Sequence, residues 1–536
     1  VPRELLLVLL APVLLLLPFV EKAVHIDDPL FIWTAQRILT HPLDFYGFHL
    51  NWYGTAMPMY EVNQNPPLTG YYLAIAGALF GWREATLHLA MMLPAALAGV
   101  GVYLLSRHFC RQSMSAALIA IVTPAFLVSS TTLMSDMLLL MFFVWAIVFW
   151  LEGLSRRQYR WLIVSGIAIG LAALSKYFGA CLIPLLLAHS LTAGKGNRRA
   201  VCFLLLPLLL IAAYEYATFH LYGRGLLLDA VRYASAVKTD FVPDYGRRAF
   251  VTAAFLGACL APLLFYAGYL WRRRGWIVGL VIASAGALSY AIVLDRDAAP
   301  ALALQVGLWL AVGIGAMQLA VSDLLRHKDA RALLLFLWTA GTLLFVVFFN
   351  HLVNVRVLLP LVPAVAILIV RRIEDAGEVS SRYRRPVPAW PIVPAVVLAL
   401  CVAYADMSLA NASRRAAAEV PVDRASPVKT WFGGHWGFQY YMELRGAEAV
   451  NTAVPLFRPG DLVALPRNTT NPIALPEHIV AERSPMEVDI LPWLATMQSE
   501  LGAGFYADVW GPLPFVFAPV PPEQYQIVVL GVPREI

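Results

Sequence analysis

Two adjacent carboxylates, Asp27 and Asp28, follow the first long apolar run by a few residues. A charged pair at a membrane face is costly unless it serves a site or sits in water. Asp28-Pro29 reads as a helix N-cap followed by proline at the first helical position. A capping carboxylate accepts backbone N–H groups, which lowers its pKa. Asp27 is then the freer oxygen donor, able to take a proton or orient a hydroxyl; solvated loop acids are the bland alternative. Asp136 opens a later apolar run within Met134-Ser135-Asp136-Met137, either as a helix cap or as an acid facing a shared cavity. Lys176 occupies the very short turn Leu174-Ser175-Lys176-Tyr177, and Arg356 stands just ahead of Val357-Leu358-Leu359-Pro360. Cations of this kind coordinate phosphate through charge-assisted hydrogen bonds; snorkelling from a helix end is the competing explanation. Arg224, Arg232, Lys238, Arg247 and Arg248 are weaker phosphate candidates. Trp52 and Tyr53 are suited to stacking on a sugar face, although interfacial aromatics are the commoner case.

His25, His41, His49 and Glu61 share the first loop with the aspartates. No HxxxH or HxH spacing supports a divalent metal near Asp27. The chain has no Walker loop, no GxSxG elbow and no haem or quinone signature, so no cofactor is expected.

These residues need elements to hold them, and the composition says which. The chain is 60% hydrophobic and 14% charged, against roughly half and a quarter in soluble domains. It reads as an α-helical polytopic membrane protein. About thirteen continuous apolar runs approach the length of a transmembrane helix: 4–20, 86–105, 114–130, 134–151, 161–174, 177–191, 199–216, 250–270, 276–294, 302–322, 332–349, 357–370 and 390–409. The runs at 161–174 and 357–370 are short, as tilted partners or half-helices would be. Arg3 precedes the first run like a signal peptide, but Glu21-Lys22-Ala23-Val24-His25 is a poor cleavage site, so an uncleaved span is expected. The first residue is Val, and a few native residues are expected ahead of it.

Positive charge alternates between connections. Arg107 and Arg111, Arg156 to Arg160, Lys195 to Arg199, Arg272 to Arg274, Arg326 to Arg331 and Arg371 to Arg385 fall on one side, which the positive-inside rule makes cytoplasmic. The net charge of +6 thus reflects topology, and nucleic acid is not an expected partner. Loop 21–85, Lys176, loop 217–249, Arg356 and the tail after 410 fall outside, where basic residues need another reason. The tail is Pro-rich, with strand-like runs at 461–465 and 525–530 and a helical stretch at 437–444. A domain of 1–409 in the membrane is therefore expected to carry a small α/β domain, 410–536, with a covering or acceptor-binding role. The five cysteines lie in or beside apolar runs and read as small buried hydrophobes.

The order of these motifs resembles a known family. An acidic pair after the first span, Asn65-Pro66-Pro67-Leu68, Ser135-Asp136, Leu174-Ser175-Lys176 and Arg356-Val357-Leu358-Leu359-Pro360 resemble the bacterial protein-mannosyltransferase and aminoarabinose-transferase superfamily. These are GT-C type glycosyltransferases, including members like the lipid A galacturonosyltransferases, and the similarity covers about residues 1–370. The resemblance implies a polyprenyl-phosphate monosaccharide donor, used with inversion on the periplasmic face of a bacterial inner membrane. The acceptor would be a lipid, glycan or protein. It makes Asp27 the catalytic acidic residue with Asp28 its partner, Asp136 a cavity residue, and Lys176 and Arg356 the holders of the donor phosphate. Asn65 stands where many members carry Lys or His, so a phosphate contact there is lost or supplied by loop 217–249.

Two rival classes fit less well. A transporter or lipid flippase places ionisable groups near the bilayer midplane, whereas Asp136, Glu215 and Asp406 lie near the ends of their runs. A non-catalytic receptor would use the tail as its binding module, and would keep its function in an Asp27→Asn variant.

Overall fold

The computed structural model describes residues 3–240, 244–380, 386–454 and 456–532. Residues 381–385 of the last basic segment lie outside them, as do the side chains of Lys195 and Lys238. The chain is mostly helical, and every apolar run read from the sequence falls on helical segments. Among the described residues, seven helices are long and apolar enough to cross a bilayer. They become eight if Ser113–Ile121 and Pro124–Ser130, bent by 62° at their junction, form one span. The break has a local cause. Pro124 offers no N–H to the preceding turn, and Thr123 starts a new helix by accepting the Phe126 N–H at 3.1 Å. Pro360 interrupts the 357–370 run in the same way, leaving Val355–Leu358, a 3₁₀ turn and then Val362–Ser380.

The spans differ in what surrounds them. Glu84–Ser106 and Asp136–Arg156 are 72% and 67% buried over their apolar windows, whereas Gly196–Tyr222 and Arg273–Leu294 are only 17% buried. The first two are the centre of the bundle, and the last two present Leu205, Leu209, Leu280 and Val281 to lipid. Small residues allow a close helix crossing: a Cβ on Gly257 would meet the Trp309 carbonyl, and one on Gly313 the Ala253 carbonyl.

The helix Ile392–Glu419 runs ten residues beyond its apolar stretch, so Asp406, expected near a span end, sits near the middle of that helix. Beyond it lies a mixed five-stranded sheet in the order Glu448–Ala449, Thr430–Phe432, Leu462–Pro466, Glu523–Leu530, Val480–Val488. Thr430–Phe432 pairs parallel with both neighbours, and Glu523–Leu530 antiparallel with both of its own. The helix Trp436–Arg445 joins this sheet to the bundle, packing on Asp28–Thr40 and Ile392–Glu419. The C-terminal α/β reading is thereby met.

Elsewhere, Arg371 pairs with Asp323 at 2.9 Å and Arg326 with Asp375 at 3.0 Å. Asp323, His327 and Asp375 are the group of three, among the described residues, close enough to share a metal. Each carboxylate already has a guanidinium partner.

Candidate active site

Four segments far apart in sequence bring their charges together. The turn 25–28 supplies Asp27, the start of Asp136–Arg156 supplies Asp136, the turn after Tyr159–Ser175 supplies Lys176, and the short helix Val355–Leu358 supplies Arg356. Arg356 links the two acids: its Nη1 donates to Asp27 Oδ2 at 3.0 Å and its Nε to Asp136 Oδ2 at 2.8 Å. Lys176 Nζ donates to Asp136 Oδ1 at 2.8 Å. The Asp136 carboxylate is 1% exposed, whereas that of Asp27 is 31% exposed. Asp136 is therefore the buried anchor, and Asp27 is the acid with an oxygen open to a ligand. Arg356 carries five N–H donors; its Nη2 has no hydrogen-bond partner among the described residues.

The turn that presents Asp27 is strained. Ile26 has φ +46° and is 4% exposed. A β-branched residue in the left-handed region costs of order 1–3 kcal/mol and persists only where its surroundings impose it. Asp28 imposes it. Its Oδ2 accepts the His25 N–H at 3.0 Å, its Oδ1 the Leu133 N–H at 2.8 Å, and its own N–H donates to the His25 carbonyl. Here the sequence expectation needs correcting. Asp27 holds the N-cap position, Asp28 is the first helical residue and Pro29 the second. Asp28 ties the turn to a neighbouring loop and does not cap its own helix. Its pKa is also displaced the other way: burial pushes it up to about 7, against Lys22 and the two N–H donors.

Behind this turn lies a second ion pair that the sequence reading passed over. Lys22 and Asp406 are fully buried and meet at 2.5 Å. Lys22 also donates to Thr131 Oγ1 at 3.1 Å, and Asp406 accepts from Tyr506 Oη at 2.8 Å and Thr496 Oγ1 at 3.4 Å. One carboxylate thus joins the first loop, the last long helix and the C-terminal domain. The sequence signals were a lysine two residues past the first apolar run and an aspartate, Asp406, inside the last one.

The C-terminal domain grips both sides of the cluster. Tyr441 Oη accepts the Val24 N–H at 2.7 Å, and a Cβ on Gly437 would collide with the Val24 carbonyl. On the other side, Asp508 Oδ1 accepts the Val353 N–H at 2.8 Å and Phe505 O accepts the Val355 N–H at 3.2 Å. His435 is sandwiched near Asp27: it stacks on Trp52 at 4.9 Å and meets the edge of Tyr53 at 6.1 Å. Its Nδ1–H faces the Trp52 carbonyl at 3.2 Å, which leaves Nε2 to accept from Thr470 Oγ1 at 2.8 Å. Burial lowers its pKa to about 4, so the ring is neutral. The string Gly433-Gly434-His435-Trp436-Gly437, glycines around aromatics, was the available signal.

Other candidates lie apart. Asn65 Nδ2 donates to Asn63 Oδ1 at 3.0 Å, and the Asn65 carbonyl accepts from Tyr46 Oη. In the expected substitute, loop 217–249, Arg224, Arg232 and Arg248 are engaged elsewhere. Arg248 donates to the carbonyls of Val346, Val347, Asn350 and His351 at 2.8–3.0 Å, closing the end of Ala330–Phe348. Arg224 pairs with Glu61 and Asp229, and Arg232 with Asp229. Of the first-loop histidines, His25 faces Asp406 at 3.7 Å and His41 bonds Thr40.

Helical spans around a charged cluster, roofed by an α/β domain, define the class: a polytopic membrane protein with an acid and cations gathered at one end of its bundle. Residues 64–214 match the family model of dolichyl-phosphate-mannose-protein mannosyltransferases. It contains Asn65, Asp136 and Lys176. The comparison with curated proteins gives no match. Among solved structures, an oligosaccharyltransferase of Archaeoglobus fulgidus tethered to an acceptor peptide is 15% identical, with a TM-score of 0.48 over 84% of this chain and 64% of that one. This chain thus spans less than two thirds of that protein. ArnT of Cupriavidus metallidurans bound to undecaprenyl phosphate is 15% identical, with a TM-score of 0.40 over 86% of this chain and 93% of that one.

Proposed function

We propose that this chain is a membrane glycosyltransferase that moves a monosaccharide from a polyprenyl-phosphate donor to a hydroxyl of a lipid, glycan or protein, with inversion. The observation that carries the reading is the guanidinium of Arg356 held between Asp27 and Asp136, with Lys176 on the far oxygen of Asp136. The match of residues 64–214 to a mannosyltransferase model supports it. Asp27 accepts the proton of the incoming hydroxyl. The hydroxyl oxygen bonds to the anomeric carbon from the face opposite the phosphate, and the carbon–oxygen bond to the phosphate breaks. The free donors of Arg356 and Lys176 stabilise the charge that develops on the leaving phosphate. Asp136 fixes both cations, and Asp28 fixes the Asp27 turn. The reading places the cluster and the C-terminal domain on the periplasmic side of a bacterial inner membrane, with the basic connections in the cytoplasm.

The test is transfer from a panel of labelled polyprenyl-phosphate sugars in purified membranes, comparing wild type with Asp27→Ala. At least one donor should be turned over by wild type, with a loss of about 100-fold or more in the variant. Equal transfer by both would remove Asp27 from the reaction, and no turnover of any donor would remove the donor class.

A further inference from the structure

A cleft of about 320 Å³ lies between the first loop and the C-terminal domain. Its walls are fixed before any ligand arrives. The hairpin of His49–Asn51 with Ala56–Pro58 is bound to the domain through Asn51 Nδ2 to the Val450 carbonyl at 3.0 Å. Gln439 Nε2 donates to the Asn51 carbonyl at 2.9 Å, and the Thr452 N–H to the Gly54 carbonyl at 2.8 Å. Gly433 and Gly434 bring bare backbone to the cleft. No Asp, Glu, Lys or Arg lines it, in a molecule whose candidate active site is built of charges.

Two groups there have unused hydrogen-bonding capacity. The Tyr53 hydroxyl and the Asn471 amide make no side-chain hydrogen bond among the described residues, and Tyr53 is 46% exposed. Such a surface presents an aromatic face, a hydroxyl, an amide and peptide groups, without charge. It suits a ligand with apolar ring faces and many neutral hydroxyls. It offers nothing to neutralise a phosphate or carboxylate, and it would leave a charged peptide side chain desolvated and unpaired. The cleft is tied to the acid's own helix: Trp52 in its wall meets the edge of Trp33 at 6.2 Å, on the helix whose N-cap is Asp27, and Tyr53 is in ring contact with His435.

We propose that this cleft is the acceptor subsite and that it takes a neutral glycan. The inference rests on the glycosyltransferase reading for its role, while its binding can be measured without any transfer. The experiment is binding of the detergent-solubilised full chain to a glycan array holding neutral, sialylated, sulfated and phosphorylated structures. Wild type, Tyr53→Ala and Ala474→Trp are compared, because the exposed Ala474 borders the cleft and a Trp there fills it. Wild type should bind neutral glycans, and both variants should lose about tenfold or more in affinity while melting at the wild-type temperature. Three results would overturn the proposal: no neutral glycan bound, charged glycans preferred, or Ala474→Trp binding as wild type does. A failed donor panel with intact neutral-glycan binding would reject the reaction and leave the subsite standing.

Discussion

Replacing Arg356 tests the centre of the argument. In the native structure its Nε and Nη1 hold two carboxylates at 2.8 and 3.0 Å, and one of them, Asp136, is 1% exposed. Arg356→Ala leaves Asp136 buried with Lys176 as its one remaining partner at 2.8 Å. Breaking a buried pair by deleting one member costs about 3–5 kcal/mol. Lys176 compensates in part, so a loss near the lower end, about 3 kcal/mol, is expected. The catalytic loss should be separate. Removing one preoriented donor from a developing charge costs about 100- to 1,000-fold in rate. Arg356→Lys divides the two effects, because one ammonium restores charge beside Asp136 but lacks the planar fork that spans both acids. We expect Arg356→Lys to recover most of the thermal stability in detergent and little of the donor turnover. Equal recovery of both would mean that the bridge between Asp27 and Asp136 is incidental. Arg356→Ala melting with wild type would refute the energetic reasoning altogether.

Further outcomes follow from the same geometry. Lys22→Met and Asp406→Leu should each destabilise by about 3–5 kcal/mol, whereas the double variant should lie much closer to wild type in a thermal melt. The neutral His435 has its pKa lowered to about 4 by burial. The unfolded chain therefore binds more protons between about pH 4 and 6.5, and stability falls as pH drops through that window. His435→Gln should flatten that part of the melting-temperature profile. Asp28, raised to about 7 by burial, acts oppositely: the folded chain holds the proton, and stability falls as pH rises from about 4 to 7. The difference between the profiles of Asp28→Asn and wild type should grow across that range. Gly437→Ala puts a methyl group against the Val24 carbonyl; proteolysis should then release the C-terminal domain more readily, and donor turnover should fall with it.

The sequence by itself determined the class and singled out the charged residues that the fold brings together. Continuous apolar runs can satisfy their backbone in lipid only as helices, so the spans were legible. Asp27, Asp136, Lys176 and Arg356 were legible because charge is expensive beside such runs. Strand-like alternation at 461–465 and 525–530 marked the sheet, which contains Leu462–Pro466 and Glu523–Leu530. What pairing each charge makes was decided by tertiary structure alone. Asp28 reads as a cap in one dimension, yet its oxygens reach across to Leu133. Arg248 reads as a free cation, yet four carbonyls at the end of another helix take its donors. Lys22 and Asp406 lie 384 positions apart and meet inside the protein. Local sequence records the cost of burying a polar group; the partner that offsets the cost comes from whichever segment the fold brings alongside.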